Sequence, residues 1–345
     1  MRYHLRFVTP ALAVIAAMLA VSCAKRTDAS YSDVELKSMH AWMGQNVPSF
    51  DSLDRGLYIV RVSSDYPDSS IVAPNDWVGI DYTATDMLKG NVFVTRNPDV
   101  ARVEGTFNIR THYVPEFVPY TSPNYTMLEA LARAIGTMRV GDSVIVYAHS
   151  NYTFGSSQST YDYGFQGAPD HIFPGNVPSI FYLKLKERSA DPAAREANMV
   201  DKYAADSLGV TVPIDTIAPR QYQYLQKIVE APDSTQIAEG STVYVAYTTK
   251  FLDGFIADTS VDSVARRAWN TASNLPLGIT DLSSTSTSYI KALYNALINM
   301  KYGETAVTVF TSDYAYGYAG QTGYPTIQPY EPLVMIIRTM RTAPE

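Results

Sequence analysis

The chain repeats itself, and this repetition limits its possible folds more than any other feature. Residues 131–155 read LARAIGTMRVGDSVIVYAHSNYTFG, and residues 293–317 read LYNALINMKYGETAVTVFTSDYAYG. The two segments align without a gap at an offset of 162 residues, and 7 of the 25 aligned positions are identical. A repeat of this length predicts two copies of one supersecondary arrangement, each with its own core.

The segments upstream of this match repeat in the same order. In chain order, the matching parts are helical segments at 34–43 and 194–208, extended segments at 57–62 and 224–229, and strands at 77–85 and 243–249. Asp191-Pro192 interrupts the pattern between the copies, as a linker often does. We therefore expect domains at 55–189 and 190–345, preceded by a linker with a helix at 23–54.

Apolar spacing within each copy indicates the fold class. Val78, Ile80 and Tyr82 alternate with polar residues or glycine, which is typical of a half-buried strand. Ile290, Leu293 and Leu297 have the spacing of a helix that lies on a sheet. Many strands and one amphipathic helix per copy predict an α+β fold, in which a curved antiparallel β-sheet wraps around the helix.

The N-terminus is typical of an exported lipoprotein. Arg2 and Arg6 precede the apolar run from Phe7 to Ala20, and small residues then lead to Cys23. This pattern predicts a signal peptide at 1–22 and lipidation of Cys23, with a plain signal peptide as the alternative. We expect a cell-envelope protein that contacts a membrane only through its lipid, and Ala24 is compatible with the outer membrane.

Charge and composition exclude several function classes. The chain has 27 Lys and Arg residues against 34 Asp and Glu residues, without a basic cluster, so nucleic acid is not an expected partner. Cys23 is the only cysteine, which excludes disulfides and thiol catalysis. None of the five histidines lies beyond His171, and no pair has zinc-site spacing, so we expect neither a metal nor a cofactor.

The order of motifs in the second copy resembles the FKBP-type peptidyl-prolyl cis-trans isomerases. These motifs are Tyr247-Thr248, Leu252-Asp253-Gly254, Met300-Lys301-Tyr302-Gly303-Glu304, Asp313-Tyr314-Ala315-Tyr316-Gly317 and a final apolar strand at 333–337. The resemblance covers about residues 222–340 and, more weakly, 55–188. It implies two FKBP-like domains in tandem, the first of them degenerate.

The resemblance also implies the site residues. In the second copy, the implied catalytic positions are Tyr247, Asp258, Ile290 and Tyr316, and the implied pocket positions are Leu293, Ile327 and Met335. The equivalent pocket positions in the first copy are Tyr82, Phe93, Leu131, Phe154 and Phe181. Val94 and Phe154 stand where the family has a rim aspartate and tyrosine, which implies activity mainly in the second copy. Ala257 and Leu293 replace a phenylalanine and a tryptophan of the family pocket.

Two functions agree with this resemblance. The chain is either a prolyl isomerase that acts on exported proteins, mainly through its C-terminal domain, or a peptide-binding or chaperone lipoprotein with weak or no turnover. In both cases the partners are proline-containing segments of exported proteins. Prolyl isomerisation breaks no covalent bond, so it needs no nucleophile or general base.

Overall fold

The computed structural model describes residues 30–64, 70–121, 127–155, 175–232, 234–273, 276–323 and 325–343. The predicted signal peptide and Cys23 lie outside these ranges. In the described ranges, every helix is too short or too polar to cross a bilayer.

The first half of the chain builds a seven-stranded antiparallel sheet. Its helices and strands are α1 (Tyr31–Asn46), β1 (Asp51–Asp54), β2 (Leu57–Ser64), β3 (Trp77–Asp86), β4 (Val92–Thr95), α2 (Pro98–Val103), β5 (Glu116–Pro119), α3 (Glu129–Ile135), β6 (Asp142–Ala148) and β7 (Ser179–Ser189). The strand order is β1-β2-β6-β7-β3-β4, and β5 also pairs with β3.

The second half builds a sheet of the same design. Its elements are α4 (Pro192–Tyr203) with a π-helical turn (Ala204–Leu208), β8 (Asp215–Ala218), β9 (Gln221–Val229), β10 (Val243–Phe251), β11 (Ile256–Thr259), α5 (Asp262–Trp269), β12 (Leu277–Ile279), α6 (Lys291–Ile298), β13 (Thr305–Phe310) and β14 (Leu333–Met340). The order β8-β9-β13-β14-β10-β11, with β12 on β10, repeats that of the first sheet strand for strand. The predicted tandem α+β fold is confirmed.

One face of each sheet packs on the helix that the apolar spacing predicts. Leu293, Ala296 and Leu297 of α6 are buried, as Leu131 and Ile135 of α3 are in the first domain. These residues lie three and four positions apart, so they share one helix face. Each helix therefore anchors the centre of its domain.

A glycine turns the chain from this helix into the next strand. Gly141 has φ +101° and Gly303 has φ +88°, in the region that side chains other than glycine rarely adopt. The next side chain closes the turn, because Asp142 accepts a hydrogen bond from Arg139 N–H at 2.9 Å and Glu304 accepts one from Lys301 N–H at 2.7 Å. The turn thus explains why the repeat has glycine at both positions 141 and 303 and a carboxylate at both positions 142 and 304.

A second helix packs on the opposite face of each sheet. Met39 and Met43 of α1 belong to one apolar cluster with Tyr58 and Tyr147 of the sheet. The residues next to these tyrosines in the strands point to the other face, where α3 packs. In the second domain, Val200 of α4 joins Tyr224, Val309 and Val334 in a separate cluster. The helical part of the predicted 23–54 linker therefore packs with the first domain.

Candidate functional site

A groove of about 860 Å³ opens in the second domain. It lies beside β10 and β11, with α5, the start of α6 and the segment before β14 as its other walls. All seven sequence-predicted positions of this domain line it, namely Tyr247, Asp258, Ile290, Leu293, Tyr316, Ile327 and Met335. The fold thus gathers residues that are up to 88 positions apart in the chain, from Tyr247 to Met335.

The floor of the groove is apolar and buried. Leu293, Ile327 and Met335 are buried, and their exposed fractions are 3%, 6% and 4%. Leu293 comes from α6, and Met335 comes from β14, which runs beside β10. A ring that enters the groove would meet aliphatic and thioether groups there rather than water.

Tyr247 and Asp258 form the polar wall. The Tyr247 hydroxyl donates to Asp258 Oδ2 at 2.7 Å, across the antiparallel pair of β10 and β11. The other oxygen of Asp258, Oδ1, accepts from Thr259 N–H at 2.8 Å, which fixes the carboxylate. Burial, together with the bond to Asp258, raises the pKa of Tyr247. Its hydroxyl is therefore protonated at neutral pH and keeps its orientation.

Two hydrogen-bond donors in the groove have no acceptor among the residues that the structure describes. Within the described ranges, neither the Tyr316 hydroxyl nor the Ile290 backbone N–H donates to another group. Burial raises the pKa of Tyr316, and the negative charge of Asp258 adds to this effect. Tyr316 therefore remains a donor, and Ile290, which directly precedes α6, offers a main-chain donor.

The two tyrosines of the motif around Tyr316 lie in different environments. Tyr314 is completely buried, and its hydroxyl accepts from Ile217 N–H at 3.1 Å. Tyr316 is half-buried and lines the groove. One tyrosine of the motif thus serves the core, while the other faces the site.

Two aromatic wall residues were missed in the sequence. Trp269, at the end of α5, is 8% exposed and lines the groove, and Tyr289 lies beside the start of α6. The groove therefore has a tryptophan, although Leu293 replaces the tryptophan expected on the helix. The sequence signal that could have indicated Trp269 is its position at the end of an amphipathic helix shortly after Asp258.

The first domain also reaches this groove. Arg110 lines it, with its Cζ 4.4 Å from the centre of the Trp269 ring. Arg110 belongs to the bridging segment, residues 104–115, which connects α2 to β5 of the first domain. No local pattern in the sequence could have predicted this, because the contact depends on how the two domains pack.

The bridging segment is fixed to the second domain by His112. Its Nε2 lies 2.7 Å from Asp253 Oδ2, and its ring centre lies 4.2 Å from that of Phe251 and 4.7 Å from that of Phe255. Burial lowers the pKa of His112, although Asp253 opposes this effect. The contact is thus mainly the packing of a nearly buried ring between two phenylalanines.

Gln328 of the second domain fixes the end of the same segment. Its side chain accepts from Phe117 N–H at 2.6 Å and donates to Pro115 O at 3.0 Å. Gln328 is buried, and both bonds are to main-chain atoms. Two separate contacts therefore hold the bridging segment beside the groove.

The corresponding positions of the first domain belong to its apolar core. Tyr82, Phe93, Leu131, Phe154 and Phe181 are all buried and belong to one apolar cluster. The Phe154 ring lies 5.9 Å from Phe93 and 6.4 Å from Phe181, centre to centre. Aromatic rings thus occupy the space between these positions.

Tyr82 has an acidic partner that the sequence did not indicate. Val94 stands where the rim aspartate was sought, but the Tyr82 hydroxyl donates to Glu116 Oε2 on β5 at 2.6 Å. Both residues are buried, and burial raises the pKa of Glu116. This tyrosine–carboxylate pair is therefore part of the core, unlike Tyr247 and Asp258.

The described residues contain no group of three or more His, Cys, Asp or Glu side chains that could hold a metal ion. The groove offers two hydrogen-bond donors, Tyr316 and Ile290, beside an apolar floor. It can hold an apolar ring and bind the carbonyl groups on either side of it.

Comparison with known proteins gives one family match and several distant structural similarities. No curated protein matches the sequence. The three FKBP domains of wheat FKBP73 are 18% identical, with 85% of this chain and 98% of that chain covered and a TM-score of 0.31. A peptidyl-prolyl cis-trans isomerase from Pseudomonas syringae pv. tomato is 17% identical, with 47% and 98% covered and a TM-score of 0.33. The N-terminal domain of FKBP42 from Arabidopsis thaliana is 11% identical, with 41% and 92% covered and a TM-score of 0.30.

The family assignment rests on the sequence match and not on these similarities. Residues 233–338 match the family model of the FKBP-type peptidyl-prolyl cis-trans isomerases. This range contains the groove and every sequence-predicted residue that lines it. Residues 233–338 of the second domain are therefore similar to the FKBP-type peptidyl-prolyl cis-trans isomerases, and the first domain repeats the strand order of the second.

Proposed function

We propose that the second domain catalyses cis-trans isomerisation of X–Pro bonds in exported proteins of the cell envelope, and that the first domain is a structural partner. The observation that carries this proposal is the pair of free donors, Tyr316 Oη and Ile290 N–H, in a groove with a buried apolar floor. The floor suits a proline ring, and the donors suit the carbonyl groups next to it.

The reaction needs no acid, base or nucleophile. Its barrier of about 18–20 kcal/mol comes from the amide resonance that is lost when the C–N bond twists. Twisting withdraws charge from the amide oxygen, so an apolar surface favours the twisted amide relative to the planar one. Hydrogen bonds from Tyr316 and Ile290 to the flanking carbonyls would hold the peptide while the bond rotates.

The test is exchange NMR on the full-length chain with a proline peptide, comparing wild type with Tyr316→Phe. We expect a several-fold lower rate in the variant, because a hydrogen bond contributes about 1 kcal/mol and about 1.4 kcal/mol corresponds to tenfold. Stability should change little, since the Tyr316 hydroxyl has no acceptor among the described residues.

Tyr318→Phe is the matched control. Tyr318 belongs to the same segment, is 58% exposed and does not line the groove. An equal loss in both variants, or none in either, would remove Tyr316 from the proposed mechanism.

A peptide-binding domain without turnover is the second candidate, and Ala257 favours it. Ala257 lines the groove where the family resemblance implies a phenylalanine, so the wall offers less apolar contact to a proline ring. This candidate is correct if the wild type shows only the uncatalysed exchange rate while a proline peptide still shifts the resonances of residues 311–331.

We propose further that a lipid on Cys23 attaches the chain to a membrane, with the outer membrane as the expected location. The support is the order of basic, apolar and small residues before the single cysteine. In the native host, the parent should partition into detergent and incorporate labelled fatty acid, while Cys23→Ser should do neither. Equal partitioning of both proteins would contradict this proposal.

A further inference from the structure

Arg110 is the point at which the first domain enters the groove of the second. The guanidinium lies over the Trp269 ring at 4.4 Å, and both residues line the groove. Arg110 itself is half-buried, and its backbone N–H donates to Asn108 Oδ1 at 2.9 Å. An arginine stacked on a ring still presents its N–H groups at the edge of its plane, where a carboxylate can bind them.

Among the described residues, Arg110 has no carboxylate that would neutralise its charge. The acidic residue that lines the groove, Asp258, is already held by the Tyr247 hydroxyl and by Thr259 N–H. Arg110 therefore has its full charge to offer to a bound molecule.

The other charged group on the groove wall has the same sign. Lys291, the first residue of α6, lines the groove, and its Nζ is 3.9 Å from Asp215 Oδ2. Lys291 thus has Asp215 as its partner, and Asp258 is held by Tyr247 and Thr259, whereas Arg110 has no carboxylate partner among the described residues. The guanidinium of Arg110 is therefore the group of the groove wall that complements an acidic ligand.

The position of Arg110 is defined by the packing of the two domains. His112 lies between Phe251 and Phe255, and Gln328 binds Pro115 and Phe117. These contacts hold the bridging segment just beyond Arg110. The interdomain contacts therefore fix the position of Arg110 in the groove wall, although Arg110 belongs to the first domain.

We propose that Arg110 is a specificity-determining residue, and that it makes the groove prefer proline-containing segments with an Asp or Glu close to the proline. This inference rests on the proposed function, since it assumes that the groove binds proline peptides. It adds that the substrate site spans both domains and that its preferred ligand is acidic.

The test uses the full-length chain and a set of proline peptides in an alanine background. Each peptide carries Glu or Gln at one position, from two residues before the proline to three after it. Binding by chemical-shift titration and turnover by exchange NMR are measured for wild type, Arg110→Gln, Arg110→Lys and Arg102→Gln. Arg102 is the matched control, because it lies in the same part of the first domain, stacks on Phe107 at 4.3 Å and does not line the groove.

For at least one position, we expect wild type to bind the Glu peptide about two- to fivefold more tightly than the Gln peptide. Arg110→Gln should abolish this preference, Arg110→Lys should retain part of it, and Arg102→Gln should retain it fully. Because the attraction is electrostatic, it should weaken in about 0.5 M salt.

The two measurements separate the failure of this inference from that of the proposed function. Equal binding of Glu and Gln peptides by a wild type that catalyses exchange would overturn the role of Arg110 and leave the isomerase intact. An Arg110-dependent preference without catalysis would support the role of Arg110 and overturn the isomerase. A chain that binds none of the peptides would overturn both.

Discussion

The buried carboxylate of Glu196 accepts hydrogen bonds from both the backbone N–H and the Oγ of Ser312, the latter at 3.0 Å. Glu35 and Ser150 make the same pair in the first domain, with both distances 2.6 Å. In each copy, this contact joins the outer helix to the residue that follows a central strand. The two serines are identical positions of the repeat, and the glutamates explain why.

Glu196 makes the stability of the second domain depend on pH. Burial raises its pKa from 4.5 to about 7, although the bonds from Ser312 oppose this. The folded state keeps a proton that the unfolded state releases, so the stabilisation is full below about pH 4.5 and is lost as the pH rises through about 7. Glutamine mimics the protonated side chain and does not titrate. We therefore expect the free energy of unfolding of Glu196→Gln, relative to that of wild type, to increase by up to about 3 kcal/mol as the pH rises from about 5 to about 8.

Urea unfolding of wild type and variant at both pH values measures this difference. Glu104→Gln is the control, because it removes one negative charge at an exposed position outside this contact. If both variants respond to pH like the wild type, Glu196 is not the titrating group.

Asp258 should matter for catalysis through Tyr247. Asp258→Ala leaves the half-buried Tyr247 hydroxyl without its acceptor, which costs about 1–3 kcal/mol and loosens the groove wall. We expect a several-fold lower kcat/KM in exchange NMR, and a smaller loss in Asp258→Asn, whose amide oxygen can still accept. Asp262→Asn, an exposed carboxylate paired with Arg266, should match wild type. Full activity of Asp258→Ala would refute this role.

Phe154 should contribute to stability and not to catalysis. Its ring packs on Phe93 and Phe181 in the first core, so Phe154→Ala should destabilise that domain by about 3–5 kcal/mol. Below the new melting temperature, the isomerisation rate should remain close to that of wild type. Phe107→Ala removes a ring that is 37% exposed and should cost much less. A large loss of rate in folded Phe154→Ala would mean that the working site lies in the first domain.

His112 should couple the two domains. His112→Ala removes a ring packed on Phe251 and Phe255 and a hydrogen bond to Asp253, which together contribute about 1–3 kcal/mol. Calorimetry of the full chain should show the two domain transitions moving apart. His40→Ala is the control, since it breaks a histidine–tyrosine hydrogen bond inside the first domain. A transition unchanged by His112→Ala would mean that other contacts hold the interface.

The boundary near residue 190 remains a prediction, and fragments 30–189 and 190–345 test it. Because each half has a complete sheet and core, each fragment should show a cooperative melt. An unfolded fragment would place the boundary elsewhere.

Local patterns in the sequence predicted the strands and helices well. The strands expected at 77–85 and 243–249 lie in β3 and β10, and the helical segments expected at 34–43 and 194–208 lie in α1 and in α4 with its π-helical turn. The second-domain groove residues could be located because the family resemblance fixes their order along the chain. Periodicity and motif order are local properties, so they can be read from one sequence.

Contacts between distant segments could not be predicted in this way. The acidic partner of Tyr82 is Glu116 on another strand, and not a residue at position 94. Arg110 lines the groove of the second domain although it belongs to the first. Glu196 is 116 residues from Ser312, and no spacing rule connects them. Such pairs depend on tertiary packing, and a single sequence carries no signal for them.

The aromatic core of the first domain and the open groove of the second should give the two domains different thermal stabilities. Aromatic rings occupy the first core, whereas the corresponding region of the second domain remains a cavity of about 860 Å³. Side chains that line an open groove face solvent and lack the packing partners that a closed core supplies, so an open site reduces the stability of the domain that carries it. We expect the second domain to unfold first and to recover its groove on cooling against a neighbour that has stayed intact. The first domain would then offer the refolding second domain a folded surface through the contacts of His112 and Gln328.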